Sequence, residues 1–389
     1  MSKEGLNDAI ASIEKKFGKE GTIFKLSESK FADIQVISTG VPLIDYATGI
    51  WGLPKGRFVE LYGGNAGGKS SCAMSTIAQA QKKGAVCAYI DTEHAFSKYW
   101  FEILGGDCEN LLISQPDYGE QALEVAEALL RTTTSDGTPC IDVLVIDSIA
   151  ALTPKSEMEG DMGDSKIGLH ARLMSQAYRK LTPVVAKSNA LVIMINQTRE
   201  KIGGYGNPTT TTGGNATKFY SSLRAEFNRS EAKGNMTIDD DGNIASNGTF
   251  VKIQKNKLAP PYMKVDVPIY YDKGYWVEEQ WITIGELEGV VTKRGSHYSF
   301  GDIKLGQGKK KSCAFLEENP EVLESIIKRI KVTNDFSSIY DDAMRVGVLL
   351  KKEGRVEYDG VFLGKDKRDA VSYFKDNPEM VQSILDAIC

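Results

Sequence analysis

Residues 63–70, Gly63-Gly64-Asn65-Ala66-Gly67-Gly68-Lys69-Ser70, constrain this chain more than any other stretch. They fit the spacing G-x-x-x-x-G-K-[ST], the P-loop, which needs a strand before it and a helix after it. Both contexts are present: Phe58-Val59-Glu60-Leu61-Tyr62 reads as a strand, and Ser71-Cys72-Ala73-Met74 opens a helix. Glycines here let backbone N–H groups turn inward around phosphate oxygens, and the helix N-terminus adds its positive dipole end. Lys69 is expected to reach the β- and γ-phosphates and the Ser70 hydroxyl to ligate the metal, so the loop predicts ATP and Mg²⁺. Ser71 belongs to the same helix start.

Short, almost wholly apolar runs recur beyond the loop: Ala85–Ile90, Val143–Ile146 and Ala190–Ile195. Runs without alternation suggest strands buried on both faces. Helical stretches such as Gly119–Arg131 and Ala171–Ala186 separate them, which predicts an α/β fold with a mostly parallel central sheet. Net charge is −5, so any nucleic-acid contact must use local patches. No apolar run is long enough for a membrane span, and the N-terminus does not read as a signal peptide. Six scattered cysteines with no C-x-x-C, and three histidines, give no zinc spacing and suit a reducing cytoplasm. Cys72 reads as a small packing residue.

Ligands of parallel sheets sit at the carboxyl ends of strands. Those ends carry Asp91-Thr92-Glu93-His94, Asp147-Ser148 and Asn196-Gln197. Asp147 after Val-Leu-Val-Ile has the Walker B pattern, an acid for the Mg²⁺ shell. Glu93 stands where a carboxylate can polarise an attacking water. Gln197 can hydrogen-bond a γ-phosphate, whereas phosphoryl transfer needs no histidine and His94 reads as structural. Arg172 and Arg179 lie seven apart on a helix and share a face with Ser175 and Gln176, a phosphate-binding stripe or else a solvated face.

These residues resemble those of the bacterial RecA family over about residues 11–330. The resemblance rests on Gly52 through Ser70, Asp91–Ala95, Ser114–Asp117, Asp147–Lys155, Gly203–Pro208, Thr210–Ala216 and Lys255-Asn256-Lys257-Leu258-Ala259-Pro260. It implies a RecA-like P-loop NTPase core with an N-terminal docking helix. The implied activity is a DNA-dependent ATPase that forms a helical homo-filament on single-stranded DNA and exchanges strands with homologous double-stranded DNA. A hexameric helicase or a non-catalytic paralogue on the same fold are the alternatives.

Two loops are implied to contact DNA, one near Glu159–Ile167 and one from Thr198 to about Gly213. Their isolated apolar tips, Met162, Ile167, Ile202 and Tyr205, suit insertion between bases. Arg199 and Lys201 flank the second loop, which also holds Asn207 and Thr211 and leads into Gly213 and Gly214. The family assigns Gln197 to link γ-phosphate and loop. It assigns the equivalents of Lys255 and Lys257 to a neighbouring subunit's γ-phosphate, the arginine-finger role. Trp100 falls at the adenine-stacking position, Ser97 replaces an Asp there, and Tyr271 is placed against the base from across the interface. Ile13 and Phe17, on an apolar stripe with Ile10, and Phe219 are implied subunit contacts.

Two departures stand out. Residues 231–247 are longer and more acidic than usual, and Phe250 occupies a position that is often basic, leaving Lys252 as a substitute. The chain also lacks the family's acidic tail and repeats itself instead. Gly289, Gly306, Lys309, Phe315, Asn319-Pro320-Glu321 and Ile326 recur 58 positions on as Gly347, Gly364, Lys367, Tyr373, Asn377-Pro378-Glu379 and Ile384. A constant offset indicates a duplicated small α+β domain. The expected organisation is therefore a docking helix and linker (1–35), an ATPase core (36–276) and two C-terminal copies (277–331 and 332–389), with a linker near Val332–Asp335.

Overall fold

A computed structural model describes residues 3–17, 34–161, 168–200, 209–229, 245–352 and 354–388. Helix α1 (Lys3–Phe17) leads the chain. Strand β1 (Val36–Ile37) pairs antiparallel with β2 (Leu53–Pro54), and α2 (Pro42–Ala47) lies between them. The core then alternates: β3 (Phe58–Gly63), α3 (Lys69–Gln81), β4 (Cys87–Asp91), α4 (Lys98–Ile103), β5 (Leu111–Ser114), α5 (Gly119–Arg131) and β6 (Val143–Asp147). After α6 (Lys155–Met158) and α7 (Leu169–Ser188) come β7 (Leu191–Glu200), β8 (Thr209–Thr211), α8 (Ala216–Tyr220), β9 (Leu223–Arg229), β10 (Ser246–Asn256) and β11 (Lys264–Tyr270).

These strands make one nine-stranded sheet in the order β11-β10-β9-β3-β7-β6-β4-β5, with β8 paired to β7. Pairs from β9 to β5 are parallel, and β10 and β11 close one edge antiparallel. The apolar runs feed two cores at once because successive side chains point to opposite faces. Val143 and Val145 join α3 on one face, while Leu144 and Ile146 join α5 and α7 on the other. This parallel sheet matches the expectation from non-alternating runs. Strand β7 runs further than its apolar run, to Glu200, because its end pairs with β8.

Two small α+β units follow. The first has α9 (Val277–Leu287), β12 (Thr292–Arg294), β13 (His297–Phe300), β14 (Ile303–Gln307) and α10 (Lys309–Glu318), followed by α11 (Pro320–Arg345). The second has β15 (Leu350–Lys352), β16 (Arg355–Tyr358), β17 (Val361–Gly364), α12 (Lys367–Asp376) and α13 (Pro378–Ile388). Each has an antiparallel three-stranded sheet, with its irregularity at the equivalent step, Tyr298/Ser299 and Val356/Glu357. Gly306 and Gly364 adopt φ 153 and 150. A Cβ on Gly364 would lie 2.2 Å from the Asp369 Cβ, and one on Gly306 would lie 3.1 Å from the Ser312 backbone nitrogen, so glycine is required for the sheet-to-helix approach. Asn319 and Asn377 each donate from Nδ2 to the carbonyl four residues back.

Residues 332–335, where the sequence suggests a linker, lie inside α11. No glycine or proline interrupts there, so the last helix of one unit runs on as the first helix of the next. Ile326 and Ile330 pack in the core that extends under the large sheet, whereas Tyr340 and Ala343 pack in a separate core with Phe374 and Ile384. The first unit is tied to the main body: Trp281 stacks on Trp51 at 5.8 Å, and Leu43 N–H donates to Gln280 Oε1.

Candidate functional site

The P-loop joins the carboxyl end of β3 to α3. A Cβ on Gly63 would sit 1.8 Å from the Phe227 carbonyl oxygen of β9, so only glycine allows the two strands to approach. Gly68 precedes α3 in the left-handed region at φ 84. Asn247 Nδ2 of β10 donates to the Ala66 carbonyl at 3.2 Å and ties the loop to the antiparallel edge. Gly64 and Gly68 are half-buried, Gly67 is buried, and Asn65 and Ala66 are exposed. Lys69 Nζ folds over the loop and donates to the carbonyls of Gly64 (2.6 Å) and Gly63 (3.3 Å). Burial lowers the Lys69 pKa, opposed by Asp147 and Glu93.

The strand-end polar residues converge beside it. Ser70 Oγ donates to Asp147 Oδ2 at 2.7 Å. Burial raises the Asp147 pKa, and hydrogen bonds from Tyr89 and Ser70 pull it back down. Glu93 Oε1 accepts from Gln197 Nε2 at 2.8 Å and from Ser148 Oγ at 2.5 Å. One carboxylate thus joins the segments after β4 and β6 to Gln197 of β7, which lies level with Gly63 at the end of β3. Asp91 holds the segment after β4 by accepting from the backbone N–H groups of Ala95 and Phe96.

Trp100 Nε1 donates to Ser71 Oγ at 3.0 Å, which sets the indole against the start of α3. Ser97 caps α4 by accepting from Trp100 N–H, so its short side chain has a local structural use. Tyr271 is 52% exposed, two residues beyond Ile269, whose side chain packs at Gly68. Cys72 is fully buried and its thiol is pushed up by burial, as suits packing.

Lys255 and Lys257 converge on the carboxyl end of α8. Their Nζ atoms donate to the Phe219 carbonyl at 3.1 and 3.3 Å, and Lys255 also reaches the Lys218 carbonyl at 2.6 Å. Helix C-terminal carbonyls attract cations. Burial, then Lys257, lowers the Lys255 pKa. The Phe219 ring itself is 71% exposed. Phe17 is 66% exposed on α1, and Ile13 is half-buried.

Arg172, Gln176 and Arg179 are exposed along α7 and Ser175 is half-buried, opposite the buried Met174, Ala177 and Tyr178. Arg199 is exposed at the end of β7, where it pairs with Thr210. Thr211 is buried against Thr198, Gly213 is buried, and Gly214 is exposed. Met162, Ile167, Lys201, Tyr205 and Asn207 lie outside the described residues. At Phe250, Lys264 Nζ sits 4.0 Å from the ring centroid, so a cation covers this position from the neighbouring strand.

Sequence reasoning missed a buried polar layer beneath these ends. Glu60 accepts from Asn196 Nδ2 at 2.8 Å and pairs with Arg224 Nε, and the Arg224 guanidinium lies 4.4 Å from the Tyr62 ring centroid. Asn196 Nδ2 also donates to the Thr212 carbonyl at 3.0 Å. The strand of the P-loop is thereby joined to the segment after β8. A Glu and an Arg within apolar strands were the available signal, since buried charges are found paired.

A P-loop at the end of a central parallel strand, with an acid and a glutamine at neighbouring strand ends, defines a nucleotide-binding α/β protein of the RecA-like class. Residues 4–276 match the family model described as RecA N-terminal domain, and residues 280–334 match RecA C-terminal domain. Protein RecA of Cereibacter sphaeroides (strain ATCC 17023) is 48% identical over 339 residues, covering 86% of this chain and 95% of its own. Protein RecA of Clostridioides difficile (strain 630) is 46% identical over 351 residues, covering 90% and 97%. Protein RecA of Clostridium tetani is 45% identical over 361 residues, covering 92% and 99%. The chain belongs to the RecA family, and its function is that of a recombinase.

Proposed function

We propose that this recombinase is a DNA-dependent ATPase that coats single-stranded DNA as a helical filament in the cytoplasm and pairs it with homologous duplex. The observation that carries the reading is the Gln197–Glu93 hydrogen bond of 2.8 Å. It ties the residue suited to activating water to the strand that leads into the second DNA loop. Glu93 would accept the proton of the attacking water. Loss of its bond to Gln197 when Gln197 turns to a γ-phosphate would reposition the end of β7, so nucleotide state and DNA loop would change together.

Lys69 and the backbone N–H groups of residues 63–71 would cradle the phosphates. Ser70 and Asp147 would hold Mg²⁺. Their hydroxyl and carboxylate oxygens are the hard donors this cation takes, and one carboxylate suffices when phosphates complete the shell. Bound there, the cation offsets phosphate charge. Trp100 and Tyr271 would flank the base. Lys255 and Lys257 would leave the α8 carbonyls and reach into a neighbour's site, with Phe219, Ile13 and Phe17 at subunit contacts. Arg172, Ser175, Gln176, Arg179, Arg199 and the two loops would bind DNA. The same reading divides the chain into 1–35, 36–276, 277–331 and 332–389, the last two being a duplication.

ATP turnover measured with and without single-stranded DNA, with filaments imaged in the same samples, tests this. Turnover that rises with DNA on open helical filaments is expected. DNA-independent turnover on closed rings would overturn it.

A further inference from the structure

The phenol of Tyr89 is a polar group in a strand that is otherwise apolar up to its last residue, Asp91. Tyr89 is 1% exposed in the middle of β4, and its ring packs edge-on against Phe96 at 5.0 Å. A hydroxyl at such depth must find an acceptor. It donates to Asp147 Oδ2 at 2.5 Å. Parallel pairing explains the reach. Tyr89 lies opposite Val145 in the register, and Asp147 is two residues further along β6 on the same face.

Asp147 Oδ2 therefore receives two donors, Tyr89 Oη and Ser70 Oγ, at 2.5 and 2.7 Å. Their duties differ. Ser70 lies in the first turn of α3 at the P-loop, and its oxygen would be shared with the cation the loop takes. Tyr89 sits behind Asp147 in the core. Two donors on one carboxylate oxygen, one from the P-loop side and one from the core, fix the rotation of the carboxylate. Partners behind a metal ligand commonly orient it and tune its affinity.

Resting on the assignment of Asp147 to the Mg²⁺ shell, we infer that Tyr89 is a positioning residue that holds the Asp147 carboxylate and sets how much Mg²⁺ the nucleotide site requires. Its ring is packing, and its hydroxyl is the functional part.

Tyr89→Phe keeps the ring and removes the hydroxyl. The full-length variant is titrated with MgCl₂ while binding of a fluorescent ADP analogue is followed, with a parallel titration in EDTA and a melting curve. The expected result is a half-saturating Mg²⁺ concentration raised about 10–100-fold, the range for loss of a group behind a metal ligand. Binding in EDTA should match the wild type, and turnover at saturating Mg²⁺ should approach it. An unchanged Mg²⁺ midpoint would overturn the inference, as would weakened binding in EDTA, which would mark a purely structural role. Asp147→Asn separates the two levels. A shift in that variant with none in Tyr89→Phe sinks the role of Tyr89 alone. No shift in Asp147→Asn sinks the assignment of Asp147 and the inference with it.

Discussion

Glu93, the proposed base, sits in a defined hydrogen-bond geometry. Its Oε1 takes two hydrogen bonds, from Ser148 and Gln197. Glu93→Gln is expected to bind nucleotide and single-stranded DNA as the wild type does while hydrolysis falls about 10²–10⁴-fold, the usual worth of a general base. Filaments on DNA should then persist for hours in ATP. Turnover at the wild-type rate would remove Glu93 from that role. Lys69→Ala should behave differently and weaken nucleotide binding itself, as equilibrium binding would show. Both residues were readable as a motif or a strand-end acid. Ser148 was readable only as part of a polar strand end, and Tyr89 was not readable at all. An aromatic in an apolar run reads as core, and only the register of β4 on β6 reveals that its hydroxyl meets Asp147.

Elements were legible wherever pattern and burial agree. Each apolar run became a strand of the central sheet, split between two cores by the two-residue alternation. The α8 carbonyls that receive Lys255 and Lys257 were hidden, because a five-residue helix has too little periodicity to read. Those contacts shape a test. Lys255→Ala or Lys257→Ala should keep the fold and lose DNA-stimulated hydrolysis. Mixed with Lys69→Ala protein, either should regain part of it, since an interface between the two pairs an intact loop with intact lysines. Absence of rescue at every ratio would place the lysines in their own subunit's chemistry. Helix α7 gives a second test. Arg172→Ala and Arg179→Ala should each flatten the plot of log affinity for single-stranded DNA against log salt by about 0.7. An unchanged slope would make this face merely solvated.

At the scale of the whole molecule, the repeat was legible as a constant offset, but the continuity of α11 was not, because separate helices and one fused helix share the same sequence pattern. The fused helix still has a natural division. Ile330 is the last of its residues in the first core. Truncation after Lys331 therefore cuts α11 between the two cores, before Tyr340. The removed unit has its own core around Phe374, so ATP hydrolysis and filaments on single strands should stay within about twofold of the full chain, since surface truncation touches no functional group. The sheet faces indicate what should change. In the first unit Thr292, Ser299 and Lys304 form one cross-strand row, with exposed Arg294 and His297 beside it. The equivalent row in the second is Leu350, Glu357 and Phe362, with Leu350 and Phe362 both nearly half exposed. Arg355 is exposed beside this row as His297 is beside the first, but the row itself exchanges Thr292 and Lys304 for apolar residues and Ser299 for the Glu357 carboxylate, so the first face suits a phosphate backbone better than the second. Uptake of homologous duplex should accordingly be faster without the second unit, read as the initial rate of strand exchange. In the full chain, Leu350→Thr with Phe362→Lys should raise duplex affinity and steepen its salt dependence. Loss of folding or of ATP turnover on truncation would instead make the second unit part of the catalytic body.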